Sequence, residues 1–425
     1  HHLFADLLRR RLEQDHGEHL STLHRRASAW CEKQGLISEA VGHALATGDV
    51  DGVARMARQN ALATMDHGEL TTLVGSIDAL PDEVVSSRPW LCIAHAWALV
   101  FAGQLGAVES RLKITETTLE TFGDARRAEG PVLSTAEGRH IAGHIAAIRA
   151  YTAALRGDMS CAAELTRRAL EQLPEEDLAV RGLSEGLLGS VLRWSGNLVA
   201  AAQSLNRAMA IAQAAGDSRT AVEALCSLAA VQLAQGKLHK TVATCRDALL
   251  LADQHVRRGG QRLPIATSGH NIMSQVLREW NDLDGALRRA KEGIELSEQW
   301  GWPEGLALGY RRRARALQAI GDPEGAQKAI EQARQAASDL SPWFGAHMAA
   351  HQARLWLAQG QLAPAAHWAQ ESGLRADDEP SYQRMDEHCA FARLLMVQGK
   401  LDEASRLLNR LVEVTEAAGA MGYVI

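Results

Sequence analysis

The stretch Gly236-Lys237-Leu238-His239-Lys240-Thr241 decides the fold, because its pattern recurs along most of the chain. The pattern is glycine or asparagine, a polar residue, leucine or a substitute, two variable residues, and then alanine or threonine. Its first residues are Gly157, Gly196, Gly236, Asn281, Gly321, Gly360 and Gly399, at intervals of 39, 40, 45, 40, 39 and 39 residues. A period near 40 residues is typical of an array of stacked supersecondary units.

Each unit is predicted to be two antiparallel helices joined by a tight turn. Before Gly236, residues 218–235 carry apolar side chains at helical spacing, and residues 238–253 do so after it. Helices that cross closely need small side chains at the crossing point. Small residues stand seven positions before each of these turns and before a further turn at Gly103, at Ala96, Ala150, Gly189, Ala229, Ser274, Ala314, Ala353 and Ala392. Further small residues follow five positions after the turns, at Ala162, Ala201, Thr241, Ala286, Ala326, Ala365 and Ala404.

These spacings resemble tetratricopeptide-like repeats lengthened from about 34 to about 40 residues. The predicted fold class is therefore all-α, a right-handed superhelix of tetratricopeptide-like helical hairpins. An irregular helical bundle with coincidental turns is the alternative. If Ala229, Ala314 and Ala353 pointed to water, the stacked-hairpin interpretation would fail.

Composition limits the classes of function that this chain can have. Its 425 residues are 46% hydrophobic, and the formal charge of −6 gives no sign of a general nucleic-acid surface. Six scattered cysteines without a CxxC pair favour reduced thiols, and no apolar stretch is long enough to span a bilayer. We therefore expect a cytoplasmic protein without membrane contact. The chain opens without methionine and ends where another helix would begin, so we interpret it as a piece of a larger protein.

Signatures of catalysis and of nucleotide binding are missing from the sequence. There is no GxxxxGK[ST] phosphate loop, no HExxH pair and no GxSxG elbow. His347 and His351 are four residues apart and could share one helix face, but no third metal ligand is near in sequence. We interpret them as ordinary helix histidines, and we predict neither an enzyme nor a metal site.

A binding surface is better supported than catalysis. In a tetratricopeptide hairpin the first helix lines the concave face, and its outward positions lie about three, six and ten residues before the turn. Arginine and amide side chains there suit carboxylates, phosphates or sugar hydroxyls, although a solvated outer face is the simpler alternative. The predicted ligand-binding residues are Arg193, Asn271, Gln275, Arg278, Arg311, Arg315, Gln318 and Arg354.

The first hundred residues add a resemblance to a known family. The segments His1–Leu12, Leu23–Trp30 and Gly35–Leu45, together with Leu80-Pro81 and Ser87–Leu91, resemble large bacterial transcriptional activators of the MalT type, which are ATP-dependent LuxR-like regulators. In that family a signalling ATPase, a winged-helix region, a tetratricopeptide-like sensor and a helix-turn-helix follow one another. The resemblance implies the end of the winged-helix or adaptor region at 1–33, irregular helical linker repeats at 34–87, and a superhelical sensor domain at 88–425.

The resemblance implies the effector-sensing and protein-interaction arm of such a regulator. The arm would bind a small-molecule inducer or a regulatory protein and couple it to the ATPase and DNA-binding modules, which are absent here. We expect no cofactor in this piece, with ATP in the ATPase module alone, no direct nucleic-acid contact, and self-association of the full-length protein. The alternative function is a tetratricopeptide scaffold that binds a partner peptide and no small molecule.

Overall fold

The computed structural model describes residue 11 and residues 19–60, 67–125 and 136–423. Within these ranges all regular secondary structure is helical, which confirms the predicted all-α class. The family resemblance carried by residues 1–10 and 12–18 lies outside the described residues. The chain forms two compact units, one of His1–Thr152 with Arg167–Glu175 and the other of Ala153–Thr166 with Glu176–Ile425. The predicted boundaries at residues 33 and 87 stay predictions.

The first unit begins with short helices and continues with longer ones. The four helices between Ile37 and Ser86 have at most 12 residues each, and the helices Pro89–Phe101 and Leu105–Ala125 form a hairpin around Gly103, whose φ is +74°. Trp97 is fully buried there and stacks on Phe101. The helices are α1 (Leu20–Lys33), α2 (Ile37–Leu45), α3 (Val50–Asn60), α4 (His67–Asp78), α5 (Asp82–Ser86), α6 (Pro89–Phe101) and α7 (Leu105–Ala125), followed by α8 (Ala136–Leu155) and α9 (Met159–Gln172), which include residues of both units.

The second unit contains six helical hairpins in sequence. Short 3-10 turns lie at Tyr382–Arg384 and Met421–Tyr423. The hairpins are α10 (Leu178–Trp194) with α11 (Leu198–Ala215), α12 (Ser218–Ala234) with α13 (Leu238–Arg257), α14 (Ala266–Glu279) with α15 (Leu283–Trp300), α16 (Pro303–Ile320) with α17 (Pro323–Ala336), α18 (Pro342–Ala358) with α19 (Leu362–Ser372), and α20 (Met385–Val397) with α21 (Leu401–Ala418).

The recurrent turn residue adopts a left-handed backbone, which explains the glycine pattern. Gly236 has φ +75°, and Asn281, which replaces glycine in its repeat, has φ +62° and is the one non-glycine residue with positive φ in the described chain. Asparagine tolerates this conformation better than other side chains. The polar residue that follows often caps the next helix: the Asp282 carboxylate accepts from the Gly285 N–H over 2.9 Å.

The small residues lie where the two helices of a hairpin meet. Ala229, Ala314 and Ala353 are fully buried, as stacked hairpins require. A Cβ atom on Gly189 would come within 2.5 Å of Leu205 Cγ, so only glycine fits at the α10–α11 crossing. The Ser274 hydroxyl donates to the Ala286 carbonyl over 2.8 Å, joining the two small positions of one repeat. This close approach confirms the predicted stacking of hairpins.

The hairpins of the second unit stack so that first helices form a continuous wall. Each of α10, α12, α14, α16 and α18 contacts the next first helix as well as its own hairpin partner. First helices therefore line one face of the unit, as a tetratricopeptide arrangement requires. Among the described helices, none combines the length and the apolar character needed to cross a bilayer.

Candidate functional site

A large cavity lies inside the second unit, on the wall formed by its first helices. It encloses about 970 Å³, within the range of small-molecule sites. Apolar side chains of α12 and α14 line one part, among them Leu233 and Ile272. The rest of the lining is rich in arginine: Arg193, Arg278, Arg311, Arg312, Arg315, Arg354 and Arg393.

Helices far apart in the sequence come into contact beside the cavity. The Trp194 ring at the end of α10 meets the Trp343 ring at the start of α18 edge to face, with centroids 4.6 Å apart. On the other side, the turn Met421–Tyr423 packs against α12, where a Cβ atom on Gly422 would lie 2.5 Å from the Leu233 carbonyl oxygen. The later hairpins of this unit thus meet its earlier hairpins around the cavity.

Six of the eight predicted ligand-binding residues line this cavity: Arg193, Gln275, Arg278, Arg311, Arg315 and Arg354. Asn271 and Gln318 do not. Asn271 is 3% exposed and donates to the Gly305 carbonyl over 3.4 Å, because its position faces the neighbouring helices α15 and α16. The Gln318 amide oxygen accepts from the Gln359 side chain over 2.9 Å. The role of all eight in ligand binding stays a prediction.

Arg311 sits at the centre of a polar network built from three helices. Its Nη1 atom donates to Nε2 of His347 over 2.8 Å and to Nε2 of His351 over 2.6 Å. The other ring nitrogen of His347, Nδ1, lies 3.4 Å from the carboxylate of Asp386, which also faces Arg354 at 3.7 Å. This pattern requires neutral imidazoles that accept at Nε2, so His347 carries its proton on Nδ1, toward Asp386.

The pKa values of these groups agree with that protonation. Burial lowers the pKa of His347 to about 4, and Arg311 and Arg312 add to this lowering while Asp386 opposes it. Burial, Arg311 and the neighbouring ring of His347 hold the pKa of His351 well below its ordinary value. For Asp386, burial raises the pKa, but His347, Arg311 and the nearby arginines outweigh it and keep the carboxyl ionised.

The donor atoms of His347, His351 and Asp386 lie within 4.8 Å of one another, a separation that could hold a metal ion. Asp386, on α20, is thus a possible third metal ligand, which is far from the two histidines in the sequence. However, the Arg311 guanidinium already occupies the position between the two imidazoles. A cation there would face several arginines at short range, so the network is better suited to holding Arg311 than to holding a metal.

Arg312 and Arg315 differ from Arg278 and Arg354, which face carboxylates. Neither makes an ion pair within the part of the chain that the structure describes, and Nε of Arg312 is buried without a hydrogen-bond partner there. Burial lowers the pKa of Arg315 to about 9, with Arg354, Arg278 and Arg311 adding to the effect. Burial and the same kind of repulsion lower the pKa of Arg312. The cavity therefore concentrates positive charge.

Sequence reasoning missed Arg312 and the part that His347 and His351 play in the wall. Arg312 stands three residues before Arg315, and residues three apart share a helix face. The sequence could therefore have predicted that Arg312 lies on the same face as Arg315. The histidines belong to the wall because α18 packs beside α16. That neighbourhood depends on how successive repeats stack, which the spacing within one repeat does not specify.

Fold and cavity together define a tetratricopeptide-like helical-repeat protein with a charged inner wall. Residues 143–425 match the family model of the MalT-like TPR region, and the chain belongs to that family. It is 27% identical over 97% of its length to the HTH-type transcriptional regulator MalT of Yersinia enterocolitica, and equally so to that of Yersinia pestis. The chain spans 44% of the length of these curated relatives.

Two solved structures of helical-repeat proteins illustrate the similar fold. A Rap protein complexed with competence and sporulation factor aligns over 91% of this chain and 98% of its own, with TM-score 0.59 and 11% identity. The apo quorum sensor NprR from B. thuringiensis aligns over 90% of this chain and 99% of its own, with TM-score 0.54 and 12% identity. At such identities the similarity supports the tetratricopeptide-like fold alone.

Proposed function

We propose that this chain is the effector-sensing and partner-binding arm of a MalT-like transcriptional regulator, and that the arginine-lined cavity of the second unit receives the effector. The cavity is the observation that carries the proposal. The first helices of six hairpins bring their side chains to this one cavity, so a bound molecule contacts several repeats at once. The proposal assigns binding, not catalysis, to this chain.

A ligand in this position can act on the rest of a regulator through the stacking of the hairpins. Each repeat contacts mainly its neighbours, so a molecule that bridges α10, α16 and α18 favours one curvature of the second unit over others. In the full-length regulator, that shift would change how the arm docks on the ATPase module and would promote self-association. DNA binding and ATP use would belong to the other modules.

A second candidate function is binding of a partner peptide, because one regulator of similar fold, the Rap conjugation gene regulator of plasmid pLS20, is in complex with the Phr* peptide. A small molecule is favoured here because the cavity volume of about 970 Å³ lies within the range of small-molecule sites.

A thermal-shift screen of this chain with sugars, amino acids, carboxylates and phosphorylated metabolites tests the proposal. An effector at 100 times its Kd stabilises the folded state by about 2.7 kcal/mol. Gln275→Trp places a large ring in the cavity and should abolish the Tm increase. Gln370→Trp, the same change at an exposed position of α19, should leave it intact.

Equal stabilisation of both variants would place the ligand outside the cavity and contradict the proposed site. If no compound raises the Tm and a partner protein or peptide does bind, the scaffold function replaces the sensor function.

A further inference from the structure

The charge of the cavity lining is strongly unbalanced. Seven arginines face only two carboxylates among the lining residues, Glu279 and Asp386, which leaves an excess of five positive charges. His347 and His351 do not change this balance, because burial keeps both imidazoles neutral near pH 7. Like charges in a partly desolvated space repel one another, and such an arrangement persists at a cost in stability.

Four of the seven arginines have a partner that accounts for their charge. Arg278 pairs with Glu279, Arg354 faces Asp386, and Arg311 is held by the two histidines. Arg193 lies over the Trp194 ring at 4.0 Å. These contacts fix the guanidinium groups in place and leave the cavity with donors whose positions are set before a ligand arrives.

Three arginines of the cavity have no such partner in the described part of the chain: Arg393 on α20, and Arg312 and Arg315 on α16. Arg312 and Arg315 are three residues apart, so both project from the same face of α16 into the cavity, and together they offer two adjacent charges. Arg312 also carries a buried Nε atom without a hydrogen-bond partner there. A guanidinium presents donors in a planar fork that matches carboxylate and phosphate oxygens, whereas a sugar hydroxyl leaves the charge uncompensated.

We propose that the effector of this cavity is a small organic polyanion, with two or more carboxylate or phosphate groups, and that Arg312 and Arg315 are its main charge partners. This inference rests on the proposed function, because it names the chemical class of the effector. Arg311 acts as a positioning residue that His347 and His351 hold beside the ligand. The apolar side chains Leu233 and Ile272 face the carbon skeleton of the ligand.

Titration calorimetry of this chain at constant ionic strength tests the inference with three probes. Citrate represents polycarboxylates, inorganic pyrophosphate represents phosphates, and raffinose is a neutral trisaccharide. We expect at least one polyanion to bind. Arg312→Met and Arg315→Met should each weaken it by about 10- to 100-fold, because each removes charge-assisted hydrogen bonds.

Arg313→Met is the matched control. Arg313 is adjacent to Arg312 on the same helix, but it is exposed and does not line the cavity, so its removal changes the net charge equally. Polyanion affinity should change less than about twofold in this variant. Arg312→Met and Arg315→Met should also raise the Tm of the unliganded chain, because each removes repulsion between like charges. A measured increase in Tm would show that both variants fold.

Three outcomes would overturn the inference. One is equal weakening in Arg313→Met and Arg312→Met, which would indicate attraction to the general surface charge. Another is binding of neither polyanion at millimolar concentration. The third is binding of raffinose, lost in Gln275→Trp, without binding of a polyanion; the sensor function would then survive with a neutral effector. If none of the three probes binds and the thermal-shift screen of metabolites also gives no ligand, the small-molecule sensor function fails as well.

Discussion

Arg311 donates to the ring of His351 over 2.6 Å, and the two residues are 40 positions apart, one full repeat of the chain. The bond therefore joins neighbouring positions on consecutive first helices, α16 and α18. A neutral imidazole is a good acceptor for a buried guanidinium, and it adds no charge to a cavity that already carries several. The relationship ties the electrostatics of the cavity to the stacking of two repeats.

Acid should destabilise the chain through these histidines. The pKa of His347 is about 4 in the folded state, against 6.5 ordinarily, so the unfolded chain binds protons between these values and the folded chain does not. The free energy of unfolding should therefore fall as the pH drops from 6.5 toward 4. His347→Gln keeps an acceptor for Arg311 and should flatten this dependence by up to about 1.4 kcal/mol per pH unit.

The measurement is the Tm of both proteins at several pH values between 7 and 4.5. His367→Gln, at a position 71% exposed, is the control and should keep the steep dependence of the parent chain. Loss of the carboxylate charge of Asp386 does not interfere, since the lowered pKa of Asp386 moves its titration below this window. An unchanged slope in His347→Gln would show that His347 is not a buried neutral ring.

Two glycines of α10 should respond in opposite ways to alanine. Gly186→Ala introduces a methyl group that meets nothing within 4 Å, so the better helix propensity should raise stability by about 1 kcal/mol. Gly189→Ala gains the same propensity, but its Cβ would lie 2.5 Å from Leu205 Cγ and 3.2 Å from the Ala201 carbonyl oxygen. Overpacking of this kind costs about 1–3 kcal/mol.

Thermal unfolding of the two single variants makes this comparison directly, because each serves as the control for the other. We expect the Tm of Gly186→Ala to exceed that of Gly189→Ala. The reverse order would mean that α10 and α11 do not approach closely at this point, and it would remove the physical basis of the small-residue pattern.

The aromatic contact beside the cavity should appear as a coupling energy. Trp194 and Trp343 meet edge to face, and such pairs contribute about 0.5–1.5 kcal/mol beyond their buried area. A double-mutant cycle with Trp194→Leu and Trp343→Leu should give a coupling of this size from denaturant unfolding. A control cycle pairs Trp343→Leu with Trp280→Leu, at a position 40% exposed, and should give a coupling near zero. Equal couplings in the two cycles would contradict the contact.

The sequence by itself determined the repeat and its internal geometry. The left-handed turn at Gly236 or Asn281 and the small residue at Ala229 are local requirements, because backbone sterics and the crossing of two adjacent helices depend on residues a few positions apart. The same local reasoning found the face that carries Arg278 and Arg315. Arg312 could have been predicted in the same way, because it lies three residues from Arg315 on the same helix face.

Only the tertiary structure decided which repeats share the cavity and how its charges are arranged. The pairing of Arg311 with His347 and His351, the arrival of Asp386 from α20 and the contact of Trp194 with Trp343 all depend on the rotation from one hairpin to the next. Small rotations add up over several repeats, so residues far apart in sequence meet or miss one another by an amount that no single repeat specifies. For the same reason Asn271 faces its neighbouring helices and not the cavity.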